Sequence, residues 1–196
     1  MLTLVLSAPL AIAHPGGVDK DGCHRNAKSN KRHCHPEPPV YDVAHPPRVG
    51  DEGVFYGPLD RVTDGDSLFV KVQGVVMEFR LAEIDAPEYD QPYGSEARRA
   101  LIGLIQGRPL VIAPFDTDSY GRTVAHIWVG DLQLNRELVK RGAAWFLSDY
   151  TRDESLYHIE QEARTAKRGL WGLPLKDRME PWEWRKRKRA IRRNGG

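Results

Sequence analysis

The sequence predicts a small closed β-barrel packed against helices, and three observations support this fold class. After Gly53, apolar residues recur at every second position through several short segments, which is the period of half-buried strands. Turn residues, Asp64-Gly65-Asp66 and Gln73-Gly74, join the first three segments closely enough for an antiparallel meander. Segments with helical apolar spacing follow, each ended by glycine. Three strands, one helix, two strands and two helices suit a five-stranded barrel with three helices.

Each element follows from its local pattern. Strands are predicted at 54–62, 67–72, 75–84, 110–115 and 123–129. Helices are predicted at 95–106, 134–141 and 153–168, and Ser95 is the expected N-cap of the first. The residues expected to face the core from the first and third helices are Ala97, Leu101, Leu104 and Ile105, then Leu156, Ile159, Ala163 and Ala166.

The N-terminus indicates export. Residues 2–13 are apolar and end in Ala-Ile-Ala, a pattern cut by signal peptidase, so we predict a signal peptide at 1–13 and a periplasmic or secreted protein beginning at His14. No Lys or Arg precedes this run, so the basic region that usually begins a signal peptide is missing. The alternatives to a signal peptide are a short buried strand and an uncleaved lipid-facing anchor. No apolar run approaches the roughly 20 residues needed to span a bilayer, so we expect no membrane span.

Composition divides the rest of the chain. We predict a Cys/His-rich segment at 14–36, a Pro-rich linker at 37–52, the barrel domain at 53–173 and a Trp-containing basic tail at 174–196. The formal net charge is +2, yet residues 185–196 contain seven Lys/Arg and no acid, which leaves −5 for residues 1–184. An acidic body argues against a protein that coats nucleic acid by charge alone. We expect a monomer.

Charged residues cluster where the predicted strands end. Asp64 and Asp66 lie in the first turn, Arg80 lies near the end of the third strand, and Asp85 begins the loop that follows. If the strands pair as a meander, the Asp66 and Asp85 carboxylates converge, and with a backbone carbonyl and waters they would suit Ca²⁺. Taken singly, these residues are ordinary for a hairpin turn, a loop and a surface ion pair.

Together the motifs resemble the staphylococcal nuclease family. They comprise Asp-Gly-Asp at 64–66, Phe-Arg-Leu at 79–81, Asp-Ala-Pro-Glu at 85–88 and Asp-Ser-Tyr-Gly-Arg at 118–122. The resemblance runs from about Gly53 to Trp171 and includes Leu-Asn-Arg-Glu-Leu-Val at 134–139. It implies an OB-fold barrel with a Ca²⁺-dependent phosphodiesterase site that hydrolyses DNA and RNA and leaves 3′-phosphate ends.

The resemblance also implies a role for each matching residue. Asp66 and Asp85 would be carboxylate ligands and Asp64 an outer acid. Ala86 replaces a threonine whose backbone carbonyl is the family's third protein ligand. The residues that match the family's catalytic trio are Arg80, Glu88 and Arg122, with Glu88 as general base.

Two tyrosines match family residues that contact the nucleotide. Tyr120 would lie near the phosphate and Tyr150 would pack on the base, although both could equally be half-buried aromatics at the barrel rim. Ser148 replaces a second base-side tyrosine and the loop at 88–94 is shorter, so the substrate preference stays open.

The Cys/His-rich segment resembles a small motif found in some exported bacterial proteins. Zn²⁺ held by both cysteines and two of the three histidines is one hypothesis, since four such ligands satisfy tetrahedral coordination. A Cys23–Cys34 disulfide with solvated histidines is an equally open alternative, because an exported protein is in an oxidising environment. The residues concerned are Cys23, His24, His33, Cys34 and His35.

Other functions remain open at this point. The tail is either a solvated, frayed helix or an arm that binds phosphates, and Trp182 and Trp184 are expected to pack on the domain. The barrel could also be a non-catalytic nucleic-acid-binding module or the scaffold of a metal-binding envelope protein.

Overall fold

A computed structural model describes residues 23–25, 32–34, 45–118, 120–147 and 155–194 of the chain. Strands β1 (Cys23–Arg25) and β2 (Arg32–Cys34) form a separate antiparallel pair, whose register sets Cys23 opposite Cys34 and His24 opposite His33. The predicted signal peptide, His35 and Tyr150 lie outside the described residues.

The remaining described residues form nine strands, four helices and two short 3₁₀ turns, at 169–172 and 175–177. In chain order the strands and helices are β3 (Phe55–Gly57), β4 (Leu59–Val62), β5 (Ser67–Val72), β6 (Val75–Leu81), β7 (Ile84–Asp85), α1 (Gly94–Ile105), β8 (Leu110–Thr117), β9 (Thr123–Val129), β10 (Leu132–Gln133), α2 (Leu134–Lys140), β11 (Trp145–Phe146), α3 (Ser155–Thr165) and α4 (Pro181–Asn194).

Seven of these strands form one mixed sheet. Its order is β3-β8-β9-β6-β5-β4, with β10 paired to β9. The predicted meander is confirmed, because β4, β5 and β6 pair antiparallel in sequence. Among the described strands, only β6 and β9 pair in parallel, and this pairing joins the two halves of the sheet.

The predicted closed barrel with five strands is corrected in two respects. The expected strand at 54–62 is broken at Pro58, so that β3 pairs with β8 whereas β4 pairs with β5. Proline has no N–H for a strand ladder, and a Cβ on Gly57 would lie 2.2 Å from the Lys71 carbonyl oxygen. Among the described residues β3 and β4 do not pair with each other, so the ladder does not close. Pro58 alone separates them, and the sheet is consistent with an OB-like fold.

The core lies between this sheet and the helices. The four residues predicted to face inward from α1 are all buried, as are Leu156 and Ala163 of α3. Two expectations are wrong: Ser95 does not cap α1, because its Oγ bonds to Glu96 within the first turn, and Ala166 is exposed just beyond the end of α3.

Buried polar groups tie the helices to the strands that carry the charged residues. The Asn135 side chain accepts from the Ile127 N–H at 3.1 Å and donates to the Ala82 carbonyl at 2.9 Å, which fixes α2 against β9 and the end of β6. Buried Glu160 of α3 accepts from the Phe146 N–H at 3.0 Å. This contact holds β11, whose Trp145 pairs opposite Asp85.

The tail predicted beyond residue 173 contains a fourth helix, α4, in addition to the three helices predicted for the domain. Trp182 of α4 packs edge-on against Trp145 at 6.0 Å between ring centroids, which confirms that it packs on the domain. No helix among the described residues is both long and apolar enough to cross a membrane.

Candidate active site

Strand register brings the predicted acidic residues and one arginine together. Asp66 immediately precedes β5, and its neighbour Ser67 lies opposite Arg80 of β6. The Leu81 N–H donates to the Asp66 carbonyl at 2.8 Å, which continues this pairing. Asp85 ends β7, only four residues after β6. The turn at 64–66 and the end of β7 therefore meet at one edge of the sheet.

Arg80 bridges the two buried aspartates. Its Nη1 donates to Asp66 Oδ1 at 3.2 Å and its Nη2 donates to Asp85 Oδ1 at 2.8 Å. Asp66 Oδ1 also accepts from the Ser67 hydroxyl, and Asp66 Oδ2 accepts from the Ala86 N–H at 2.8 Å. The carboxylates of Asp66 and Asp85 are nearly inaccessible to solvent, with 3% and 2% of each side chain exposed. The planar arginine fork thus fixes two carboxylates that would otherwise repel each other.

Burial and charge act in opposite directions on this pair. Burial raises the pKa of Asp66 above its ordinary value, and the nearby positive charge of Arg80 only partly offsets this effect. The charge of Asp66 is the main cause that raises the pKa of Arg80, despite the opposing effect of burial. Arg80 therefore stays positively charged. Because its charge only partly offsets the burial of the Asp66 carboxylate, binding of a further cation would stabilise the ionised carboxylate.

Close packing explains the glycine of the Asp-Gly-Asp motif. A Cβ on Gly65 would lie 2.6 Å from Cβ of Ala86 and 2.7 Å from Cβ of Ala97 on α1. Asp64 accepts from the Asp66 N–H at 3.0 Å and so shapes the same turn. The turn can approach the Asp85 loop only because residue 65 has no side chain.

Glu88 and Arg122 reach this region from two different loops. Glu88 is partly exposed, with 33% of its side chain accessible. Arg122 immediately precedes β9, and its Nη1 lies 3.7 Å from an oxygen of Glu78. Glu78 and Arg80 are two residues apart on β6 and so share a face. Arg122 is brought to the face of Arg80, although no described contact joins it to Asp66 or Asp85.

Asp118, which the sequence predictions did not single out, holds Arg122. Its Oδ1 accepts from the backbone N–H groups of Tyr120 and Arg122 at 2.9 and 3.0 Å, and its Oδ2 accepts from Arg122 Nε at 2.7 Å. Burial alone would raise the pKa of Asp118, but these hydrogen bonds outweigh it and the pKa is lowered. The sequence signal that could have identified Asp118 is its position four residues before Arg122, in a turn that contains glycine.

Tyr120 is exposed beside Arg122. The residue is 82% exposed, and the guanidinium carbon of Arg122 lies 5.6 Å from its ring centroid. The alternative interpretation, that Tyr120 is a half-buried aromatic residue at the barrel rim, is therefore wrong.

Arg185 of α4 is the principal residue that sequence reasoning missed. Its Nη2 donates to Asp85 Oδ2 at 2.6 Å, and its Nη1 donates to Asp85 Oδ1 at 3.1 Å and to Glu88 Oε1 at 2.6 Å. Burial lowers the pKa of Arg185, but the hydrogen bonds and charges of Asp85 and Glu88 outweigh it and raise the pKa overall. In the sequence, Arg185 is distinguished only as the first residue of a basic run.

The donor set fits a hard cation. Asp66 and Asp85 offer buried carboxylate oxygens, and oxygen is the ligand type that Ca²⁺ prefers. Within the described part of the chain no group of three or more His, Cys, Asp or Glu residues is arranged for a metal ion. Backbone and water oxygens are the other ligands that Ca²⁺ accepts beside carboxylates.

Fold and site together define a class of nucleic-acid hydrolase, and comparison with known proteins identifies it. Residues 78–172 match the family described as "Staphylococcal nuclease homologue". The chain belongs to the staphylococcal nuclease family and is a nuclease. The family and enzyme class predicted from the motifs are confirmed.

Three relatives illustrate the similarity. The chain is 36% identical over 150 residues to "Protein ParB" of Escherichia coli, which covers 71% of the chain and 84% of that protein. It is 37% identical over 135 residues to an "Uncharacterized endonuclease" of Escherichia coli, covering 68% of the chain and 87% of the relative. It is 36% identical over 143 residues to a "Micrococcal nuclease" of Shigella flexneri, covering 67% and 81%.

Proposed function

We propose that the chain is a Ca²⁺-dependent, sugar-nonspecific endonuclease that hydrolyses DNA and RNA to products with 3′-phosphate ends. The observation that carries the proposal is the buried pair of Asp66 and Asp85, bridged by Arg80 at the sheet edge. The names of the relatives, endonuclease and micrococcal nuclease, support the reaction class.

Asp66 and Asp85 would hold the calcium ion, together with the Ala86 backbone carbonyl, while Asp64 lies one shell further out. When bound, Ca²⁺ supplies positive charge that stabilises the negative charge developing on the phosphate oxygens. Ala86 can serve in place of threonine because only its carbonyl is required. Its N–H already donates to Asp66, which keeps the loop beside the carboxylates.

Arg80 and Arg122 provide the remaining electrostatic stabilisation. Each guanidinium can donate two parallel hydrogen bonds to the equatorial phosphate oxygens, whose charge increases toward the transition state. Arg80 is held by the aspartates, and Arg122 is held by Asp118 and Glu78. Both forks are oriented before substrate arrives, so little reorganisation is needed during the reaction.

Glu88 is the candidate general base. Its carboxylate lies in the same cluster as Asp85 and is partly exposed, so a water molecule can reach it. By accepting a proton from that water, Glu88 would generate the nucleophile for in-line attack on phosphorus. Cleavage of the bond from phosphorus to the 5′-oxygen leaves the phosphate on the 3′ side.

Tyr120 and the basic residues of α4 would contact the rest of the nucleic acid. The exposed ring of Tyr120 beside Arg122 is available to pack near a phosphate or base. Exposed Lys and Arg residues follow Arg185 along α4, and they would bind phosphates without sequence preference.

Digestion of plasmid DNA and of RNA in Ca²⁺ or in chelator, followed by end-group analysis, tests this proposal. We expect cleavage of both substrates in Ca²⁺, 3′-phosphate ends, and loss of cleavage in Asp85→Asn. Cleavage that persists in chelator, or ends bearing 5′-phosphate, would contradict it.

The proposal also includes export of the protein and either a disulfide or a zinc site in the Cys/His-rich segment. The apolar run before His14 supports export, and the opposed positions of Cys23 and Cys34 are compatible with either a disulfide or a shared zinc ion. Thiol titration and metal analysis of protein purified without a His tag separate the two. Blocked thiols without zinc indicate the disulfide, and free thiols with one bound zinc indicate the metal site.

A further inference from the structure

Arg185 occupies the carboxylate that the proposed cation requires. Asp85 has two oxygens, of which Oδ1 accepts from both Arg80 and Arg185, and Oδ2 accepts from Arg185. Arg80 bridges Asp85 to Asp66, whereas Arg185 bridges it to Glu88 on the other side. The fork of Arg185 therefore spans both oxygens of Asp85.

A helix that is itself anchored to the same loop presents Arg185. The Trp184 Nε1–H donates to Asp90 Oδ1 at 3.2 Å, and Lys188 also pairs with Asp90. Just before α4, the Met179 carbonyl accepts from the buried side chain of Gln91 at 2.5 Å. With the contact of Trp182 on Trp145, these interactions set the position of α4 on the domain, so Arg185 is not a freely moving surface side chain.

Charge makes simultaneous occupancy unfavourable. A cation ligated by Asp85 Oδ2 would lie within a few ångströms of the Arg185 guanidinium, and two positive groups at that distance repel strongly where solvent is largely excluded. Asp85 is almost fully buried, and only 35% of the Arg185 side chain is exposed. Neither charge is well screened by water.

We propose that Arg185 and the divalent cation compete for Asp85, so that the C-terminal helix sets the cation affinity of the active site. This inference rests on the proposed Ca²⁺ site. In the cation-free protein, Arg185 holds Asp85 and Glu88 together. Cation binding requires Arg185 to release Asp85, and Ca²⁺ affinity is lowered by the cost of breaking that bidentate pair.

Calorimetric titration of Ca²⁺ into the chelator-treated full-length protein, without substrate, tests the competition. Arg185→Gln removes the charge and the fork, and we expect it to bind Ca²⁺ about tenfold more tightly than the wild type, the effect of losing one strong charge-assisted pair. Arg185→Lys keeps the charge and the helix but loses the fork, and its affinity should lie between the two.

Arg187→Gln is the matched control, because Arg187 is exposed on the same helix and its removal changes the net charge equally. Its Ca²⁺ affinity should stay within about twofold of the wild type, since exposed charges are screened by salt. If both Arg185 variants bind Ca²⁺ as the wild type does, or more weakly, the competition is wrong while the Ca²⁺ site stands. If no variant and no wild-type protein binds Ca²⁺, the proposed site itself is wrong, and the competition with it.

Discussion

At the scale of single residues, the site depends on side chains that hold the arginines as much as on the arginines themselves. Asp118 contributes three hydrogen bonds to the turn that carries Arg122. Glu78 supports the same guanidinium from β6. An arginine in solution samples many rotamers, so these acids reduce the entropy that phosphate binding would otherwise lose.

Arg122→Lys should lower kcat by about a hundredfold or more, because a lysine presents a point charge in place of the planar fork. Turnover on a defined oligonucleotide in Ca²⁺ measures this effect, and circular dichroism verifies the fold. Arg99→Lys is the control, since Arg99 is exposed on α1 and pairs only with Glu96 among its described contacts. Equal turnover in Arg122→Lys and the wild type would remove Arg122 from the catalytic set.

Asp118→Asn should lower the free energy of unfolding by about 1 kcal/mol at pH 7, because a partly solvated carboxylate loses charge-assisted hydrogen bonds. The lowered pKa of Asp118 gives the sign of the pH dependence. Its stabilisation is present above the unfolded value of about 3.9 and is lost as pH falls below it through the folded pKa. Urea denaturation of both proteins at several pH values from 7 to 3 should show the difference shrinking below about pH 4. A difference that is constant across this range would show that ionised Asp118 is not the cause.

At the scale of elements, glycines determine how the helices end and pack. Gly142 follows α2 with φ +66°, and Gly169 begins a 3₁₀ turn with φ +54°. A Cβ on Gly142 would lie 2.2 Å from the Arg168 carbonyl oxygen, and the Leu170 N–H donates to the Gly142 carbonyl at 2.8 Å. The chain after α3 is thereby fixed against the end of α2.

Gly142→Ala should therefore lower the free energy of unfolding by at least about 3 kcal/mol, from left-handed strain together with the backbone clash. Gly130→Ala is the matched control, since Gly130 has φ +59° and no heavy atom within 4 Å of a built Cβ. We expect the control to lose only about 1 kcal/mol, from strain alone. Equal losses in the two variants, measured by urea denaturation, would show that the packing contact is unimportant.

At the scale of the whole molecule, the near-neutral average charge conceals an acidic body and a basic C-terminal run. The acidic residues include those proposed to hold a cation, whereas the basic run forms a helix whose first arginine reaches that cluster. The exposed remainder of α4 begins beside the site, so phosphates bound there would be close to the catalytic groups.

Replacing Arg189, Arg192 and Arg193 with Gln should raise KM for long DNA and flatten its dependence on salt. Each lost phosphate contact reduces the slope of log affinity against log salt by about 0.9. The effect should be smaller for a dinucleotide, which is too short to reach the end of α4. KM measured at several salt concentrations gives the slope.

A second triple variant controls for net charge. Arg99, Lys140 and Arg141 are exposed on α1, on α2 and just after α2, and their replacement with Gln changes the formal charge equally. Equal salt slopes for the two triple variants would contradict a specific role for α4.

Local sequence was sufficient for features that depend on local contacts. Alternating apolar residues predicted β5 and β6, and the four residues expected to face inward from α1 are buried. Four of the charged residues proposed for the site lie within a single meander and the loop after it, namely Asp66, Arg80, Asp85 and Glu88. The meander predicted that Asp66 and Asp85 converge, whereas the roles of Arg80, Glu88 and Arg122 came from the family resemblance. Short separations leave few alternative arrangements once the strands pair.

What the sequence by itself determined was the family, the strand and helix periods, and the residues proposed for chemistry: Asp66, Arg80, Asp85, Glu88 and Arg122. The tertiary structure alone decided how Pro58 divides the first strand between two partners, and that β6 pairs in parallel with β9. It also decided that Arg185 meets Asp85 across 100 residues of chain. The physical reason is that a basic run has the same local pattern whether solvated or docked, and only its position against distant carboxylates distinguishes the two states.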